Sequence, residues 1–144
     1  MIIYKLTRAD RTTFDRFAYP IGVPVSLDTP RGTGLCSAEY IHAYRTPLLA
    51  AFFAPIHVPD YPTLWRAETP EICADDGTKI GVRSITLIEP VDLPVISTAA
   101  RVRAAINASL LVPQPATYRS WAAAWLSGEN RTPARASGGH HRAH

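Results

Sequence analysis

Proline sets the grain of this chain. Thirteen prolines fall among its 144 residues, and each removes a backbone N–H and clashes inside a helix. Pro20 and Pro24 lie in an alternating apolar stretch, Phe14 to Leu27, and make it an edge strand or an irregular extended segment. Thr46-Pro47 reads as a helix start, with Thr46 as N-cap and proline in the first turn. Leu48 to Phe53 would be that short helix, stopped by Pro55. Pro55, Pro59 and Pro62 together predict a stiff loop. Pro90 ends a strand, and Pro113 and Pro115 break a helix. The longest apolar run, Leu48 to Ile56, is cut by Pro55 and falls well short of the roughly 20 residues a membrane span needs. No membrane association is expected.

Between the prolines, hydrophobic periodicity indicates the elements. Ile2 to Arg8 predicts a strand with Ile2, Tyr4 and Leu6 on one face and Ile3 and Lys5 on the other. Ser37 predicts a cap for a helical turn through Tyr40 to Tyr44. Leu64 to Glu68 predicts a strand with Trp65 and Ala67 on one face. Lys79 to Glu89 is the clearest strand pattern, and its alternation slips between Val82 and Ile85, which predicts a bulge near Arg83-Ser84. Ser97 predicts the cap of a helix running to about Leu111, with Val102, Ile106 and Leu110 at four-residue spacing. A last helix opens at Ala116 or Thr117, carries Tyr118, Trp121, Trp125 and Leu126, and stops at Gly128.

Strands come first and two helices last. The pattern is α+β: a small twisted, mainly antiparallel sheet with two C-terminal helices packed against it. A chain that is 47% hydrophobic and 19% charged buries a core without staples. This excludes a disordered chain and a disulfide-framed miniprotein. The expected organisation is one globular domain over residues 1–128 and a flexible tail over 129–144. The N-terminus lacks a charged region followed by an apolar one, so the expected location is cytoplasmic. Cys36 and Cys73 form no CxxC pair and are expected as thiols, with a disulfide between them left open.

Charge is uneven. Residues 1–96 carry a net −2, whereas residues 97–144 carry six arginines and one acid, a net +5. This permits weak nucleic-acid binding through the C-terminal arginines or contact with an acidic partner. An arginine-for-lysine bias in an alanine- and proline-rich chain fits a GC-rich genome equally well.

The candidate chemistry is sparse. His42 and Tyr44, with Glu68 distant in sequence, have residue types suited to acid–base work. The bland alternative places His42 and Tyr44 at a half-buried helix edge, bonded to backbone. His57, between Pro55 and Pro59, would lock a loop. Pro30 to Gly34 is glycine-rich but lacks the lysine ending of a phosphate loop. Arg66 and Glu68 suit cross-strand ion pairs on a solvated face. Asp75-Asp76-Gly77 is a turn without the further ligands of a calcium site. His140, His141 and His144 are a loose metal-binding composition only. No metal site and no cofactor is expected. Trp121 and Trp125, flanked by Arg101, Arg103 and Arg119, form a core stripe or, where exposed, a surface for a protein partner.

Tyr4 to Thr7, Gly34-Leu35-Cys36, Ile41 to Tyr44 with Pro47 to Ala50, Pro55-Ile56-His57, Leu64 to Glu68, Asp76 to Gly81, Leu93-Pro94 and Trp125 to Gly128 together resemble an uncharacterised family of small bacterial and phage proteins. The resemblance spans about residues 4–132, implies a phage or prophage setting and brings no catalytic residues with it. The leading expectation is therefore a non-enzymatic accessory protein that binds a protein partner, modulating host machinery. The alternative is an enzyme of the ADP-ribosyltransferase kind, with His42, Tyr44 and Glu68 working beside Gly32 to Gly34. That alternative rests on analogy of fold, and the first strand offers only Arg8, at its end, for the early His or Arg of such enzymes.

Overall fold

Alternating apolar residues at 2–7 and 63–68 zip into the middle of the structure. The computed structural model describes residues 1–13, 17–27, 39–58 and 62–132, and the chain divides into two compact units, Met1–Ile96 and Ser97–His144. The first unit contains β1 (Ile2–Thr7), β2 (Val25–Ser26), β3 (Ile41–Ala43), α1 (Pro47–His57), β4 (Thr63–Glu68), β5 (Ala74–Asp75), β6 (Ile80–Val82) and β7 (Ser84–Val91). The second contains α2 (Thr98–Ser109) and α3 (Ala116–Ser127). The architecture is α+β with antiparallel sheets, as the sequence pattern indicates. The strands form two sheets rather than one, ordered β1-β4-β7-β2 and β3-β6-β5.

Register follows burial. β1 and β4 pair from Ile2 opposite Glu68 to Thr7 opposite Thr63. β4 and β7 pair with a shift at Arg66/Ala67, where Arg66 meets Glu89 and Ala67 meets Leu87. Ile88 is the extra residue, so Leu87 stays on the core face while Glu89 reaches Arg66 at 2.9 Å. A reciprocal backbone bridge between Tyr4 and Tyr44 ties the two sheets, with N–H to O distances of 2.9 and 2.8 Å.

The slip between Val82 and Ile85 has a larger cause than a bulge at Arg83-Ser84. Val82 and Ile85 are both buried, yet three residues apart they cannot share a face of one strand. The chain resolves this by changing sheets. Val82 ends β6 in the smaller sheet, Ser84 begins β7 in the larger, and Arg83 makes the crossing. Ile41, Ala43, Ile80 and Val82 of the smaller sheet then meet Ile3, Trp65, Ala67, Ile85 and Leu87 of the larger across one core, with Tyr19.

Residues 41–43 correct a second expectation. They form β3, not the middle of a helical turn. Ile41 pairs with Val82 and Ala43 with Ile80, and burying both against the opposite sheet outweighs the weak helical pattern. Ser37, the expected cap, lies outside the described residues, as do the loop of Gly32 to Gly34, Cys36 and the histidines of the tail.

The opposite face of the larger sheet carries α1. Thr46 caps it, accepting a hydrogen bond from the Leu49 N–H at 3.2 Å. Ala50 and Ala54, both buried, let the helix approach Leu6 and Leu64 closely. Pro55 does not stop this helix. It sits in the last turn, the helix runs on to His57, and the Val58 N–H closes on the Ala54 carbonyl at 2.9 Å. Here proline removes one donor, and the packed face upstream holds the turn.

Two of the capping expectations hold in the helical unit. Ser97 accepts from the Ala100 N–H at 3.1 Å, and Gly128 ends α3 with φ 81°, a left-handed conformation that costs glycine nothing. Ile106, Ala122 and Trp125 are its buried core, flanked by Val102, Tyr118, Trp121 and Leu126. No helix of the described residues is long and apolar enough to cross a membrane.

The β5–β6 turn offers a pH test. Asp76 Oδ1 accepts from the Thr78 N–H at 2.8 Å, the Thr78 hydroxyl at 2.7 Å and the Lys79 N–H at 2.9 Å. These bonds, the Thr78 hydroxyl first, hold its carboxyl down to about 2 from an ordinary 3.8. A folded-state value below the unfolded one means stability present above 3.8 and lost as pH falls through about 2. In acid titrations followed by circular dichroism, Asp76→Asn is expected to be less stable than the parent at neutral pH. The gap should close across that acid window. A gap that stays constant would show that the carboxylate does not stabilise the turn.

Candidate functional site

In a strand, residues two apart share a side. The finding that 41–43 is a strand therefore puts His42 and Tyr44 on the same side, a relation a helix would not give. Facing them is the C-terminal turn of α1, where Phe53 and His57, four residues apart, stand one above the other. The rings of Tyr44, Phe53 and His57 form a near-parallel group, with interplanar angles of 9°, 13° and 23° and centroids 5.5–6.4 Å apart. The Tyr44 hydroxyl hydrogen-bonds His57 Nδ1.

These groups open onto a cavity of about 330 Å³. Its polar lining is Lys5, Thr13, His42, Tyr44, His57 and Lys79, and its apolar wall is Leu6, Ile56 and Val58. Among the described residues no carboxylate lines the cavity. Lys5 is only 7% exposed. Its ammonium donates to the His42 carbonyl at 2.6 Å and sits 5.3 Å from the centre of the Tyr19 ring. That arrangement holds a buried charge by a charge-assisted hydrogen bond and a π face. Lys79 enters from the residue before β6.

Electrostatics hold the Tyr44–His57 pair neutral. Burial pushes the Tyr44 phenol above its ordinary value, and the nearby Asp76 charge adds to this. Partial desolvation pulls the His57 imidazole below its ordinary value, with the Lys79 charge second; Asp76 acts in the opposite sense. Both shifts favour the neutral forms of the two groups, and which of them donates in their hydrogen bond follows the His57 tautomer.

Of the residues singled out from sequence, the structure brings His42 and Tyr44 together and leaves Glu68 elsewhere. Glu68 lies exposed at the end of β4, opposite Ile2 and Thr86, and does not line the cavity. The acid–base trio of the transferase reading does not converge. His57 takes the third place, from a helix end rather than the loop its flanking prolines suggest. Lys5 and Lys79 escaped notice in the sequence. The one available clue was Lys5 alternating with Ile3 on a face that proved to be the core.

The proposed partner surface is divided in the structure. Trp125 is buried at 7% exposure under the Arg131 guanidinium, which lies 4.6 Å from its ring centre. Trp121 is half-buried and donates from Nε1 to the Thr132 carbonyl at 2.9 Å. Arg103 and Arg119 are exposed and Arg101 is half-buried. Arg103 reaches the Leu126 carbonyl at 3.5 Å. Arg66 pairs with Glu89 across β4 and β7, the solvated ion pair expected of that face. Cys73 stands 3.7 Å from a Glu71 carboxylate oxygen. Among the described residues no group of three His, Cys, Asp or Glu side chains is placed to hold a metal.

No family model, no curated protein and no solved structure matches the chain.

Proposed function

We propose that the first unit is a small-molecule-binding domain and that its cavity takes an anionic ligand. The observation that carries this reading is the lining itself. Among the described residues, two ammonium groups, two imidazoles, a phenol and a threonine hydroxyl converge on one concavity, and no carboxylate is among them. A cavity of about 330 Å³ lies at the low end of ordinary ligand pockets, which start near 300 Å³, and suits a compact ligand. An apolar wall with a few convergent polar groups is the usual composition of such sites. Burial of Trp125 inside the helical unit leaves that unit without the pair of exposed indoles a docking surface there would use.

Benzoate and phenyl phosphate, titrated by NMR into the full chain, are the test. Each combines an anionic head with an apolar body that fits Leu6, Ile56 and Val58. Resonances of His42, Tyr44 and His57 are expected to shift and to saturate. Lys79→Glu is expected to weaken binding by at least about tenfold, the effect of about 1.4 kcal/mol. Absence of saturable shifts with both ligands, or indifference to Lys79→Glu, would overturn the assignment.

A further inference from the structure

The His57 ring is held on two sides. A phenol O–H lies in the plane of its ring, and an imidazole nitrogen carries its N–H or its lone pair in the plane of its own. The hydrogen bond between the Tyr44 hydroxyl and His57 Nδ1 therefore joins the two rings edge to edge, whichever atom donates. Their planes differ by 23°, with centroids 6.0 Å apart. Phe53 stands in a different relation to both. Its ring is tilted 13° from the imidazole at 5.5 Å between centroids, and 9° from the phenol at 6.4 Å. Near-parallel rings this close, with no bond between their edges, sit at different heights in an offset stack. Phe53 thus covers one face of a flat plate made by Tyr44 and His57.

The cavity lies on another side of that plate, since Tyr44 and His57 line it and Phe53 does not. Tyr44 is 4% exposed, whereas His57 is exposed. The phenol is the buried anchor, and the imidazole is the accessible part. An exposed side chain ordinarily loses rotamer freedom when a ligand settles on it. Here Tyr44 fixes the ring in its plane and Phe53 fixes its height, so that cost is met before a ligand arrives. Leu6, Ile56 and Val58 add the apolar surface that a hydrocarbon ring needs around it.

We propose that the cavity takes a flat aromatic ring as the body of its ligand, stacked on the imidazole of His57. The proposal rests on the small-molecule-binding reading above and gives the ligand's class as aromatic or heteroaromatic rather than aliphatic. Stacking depends on the shape and the π face of the ring. For two ligands with the same head group, every contact to that head enters equally and cancels in a ratio of affinities.

Benzoate and cyclohexanecarboxylate share a carboxylate and a carbon skeleton, and only benzoate is flat. A cavity that is simply apolar favours the saturated ring, which carries more hydrocarbon surface. A stacking platform reverses that order. NMR titration of the full chain is expected to give benzoate the smaller dissociation constant by at least about threefold, within the range an aromatic pair contributes beyond its buried area. The imidazole C–H resonances of His57 should move upfield with benzoate and not with cyclohexanecarboxylate, because a ring current shields protons above its face. His57→Phe keeps a flat ring and should keep benzoate the tighter ligand. His57→Leu keeps apolar bulk without a flat face and should bring the ratio to about unity or below. Circular dichroism checks the folding of both, and the upfield shift in the parent chain decides the matter if either fails to fold.

Benzamide and cyclohexanecarboxamide repeat the comparison without charge. A benzamide preference with no binding of benzoate keeps the platform and removes the anion reading. Saturable binding of both acids with neither the preference nor the shift overturns the stack and leaves an anion site. A preference that survives His57→Leu, or that comes without the upfield shift, overturns the placement on His57. Binding of none of the four compounds overturns the stack and the ligand site together.

Discussion

Trp65→Ala is expected to destabilise the first unit by about 3–5 kcal/mol, the range for truncating a buried aromatic side chain. Trp65 is 6% exposed and sits where the two sheets meet, packed with Ile3, Ala67, Ile85 and Leu87. Its Nε1 also donates to Thr7 Oγ1 at 3.0 Å, and Thr7 is fully buried. Truncation therefore opens a cavity and removes the buried donor to a buried hydroxyl, two losses that act together. Urea denaturation followed by circular dichroism measures the change. Trp65→Phe separates the terms: it keeps most of the ring volume and loses the indole donor, so a smaller cost is expected. A loss below about 1 kcal/mol for Trp65→Ala would mean that the indole does not fill a closed core, since large values arise from cavities and unsatisfied polar groups.

Trp125→Ala is expected to have the second largest effect, and in a different place. Among the described residues of the helical unit, only Ile106, Ala122 and Trp125 are buried in its core. Removing the largest of the three costs about 3–5 kcal/mol by the same rule, and short helices depend on their packed face rather than on propensity. Amide hydrogen exchange of α2 and α3 should therefore lose most of its protection. Trp121→Ala should do less, because Trp121 is half-buried and holds the chain end through the Thr132 carbonyl rather than the core. Equal effects of the two substitutions would contradict the assignment of Trp125, and not Trp121, to the core.

Local chemistry made several elements legible. Thr46 and Ser97 cap helices because a hydroxyl beside an unpaired N–H acts within four residues, and Gly128 stops α3 for an equally local reason. The alternation in β1 and β4 reads correctly because side-chain direction in a strand depends only on residue parity. The strand at 41–43 read wrongly because its pattern is short and its stability comes from Ile80 and Val82, almost forty residues away. Pro55 misled for a related reason: a proline rule describes an isolated helix, whereas this turn is held by its packing on Leu6 and Leu64.

The site was legible only as fragments. His42 and Tyr44 could be picked out as residue types, but their common side required β3 to be a strand. Glu68 drew attention by its chemistry alone, and distance removes it. Lys5 looked like an ordinary polar residue in an alternating strand.

The sequence by itself determined the α+β class, the caps, the strand faces and the absence of any long apolar helix. Each of these depends on interactions among neighbours within about four residues or on the side-chain period of one element. Only the tertiary structure decided that two sheets share a core, that the chain changes sheet at Arg83, and that Lys5, His42, His57 and Lys79 line one cavity. Those outcomes depend on which distant apolar faces bury one another. Closing the two sheets over Ile3, Trp65 and Ile80 is what carries the four polar residues to a common place.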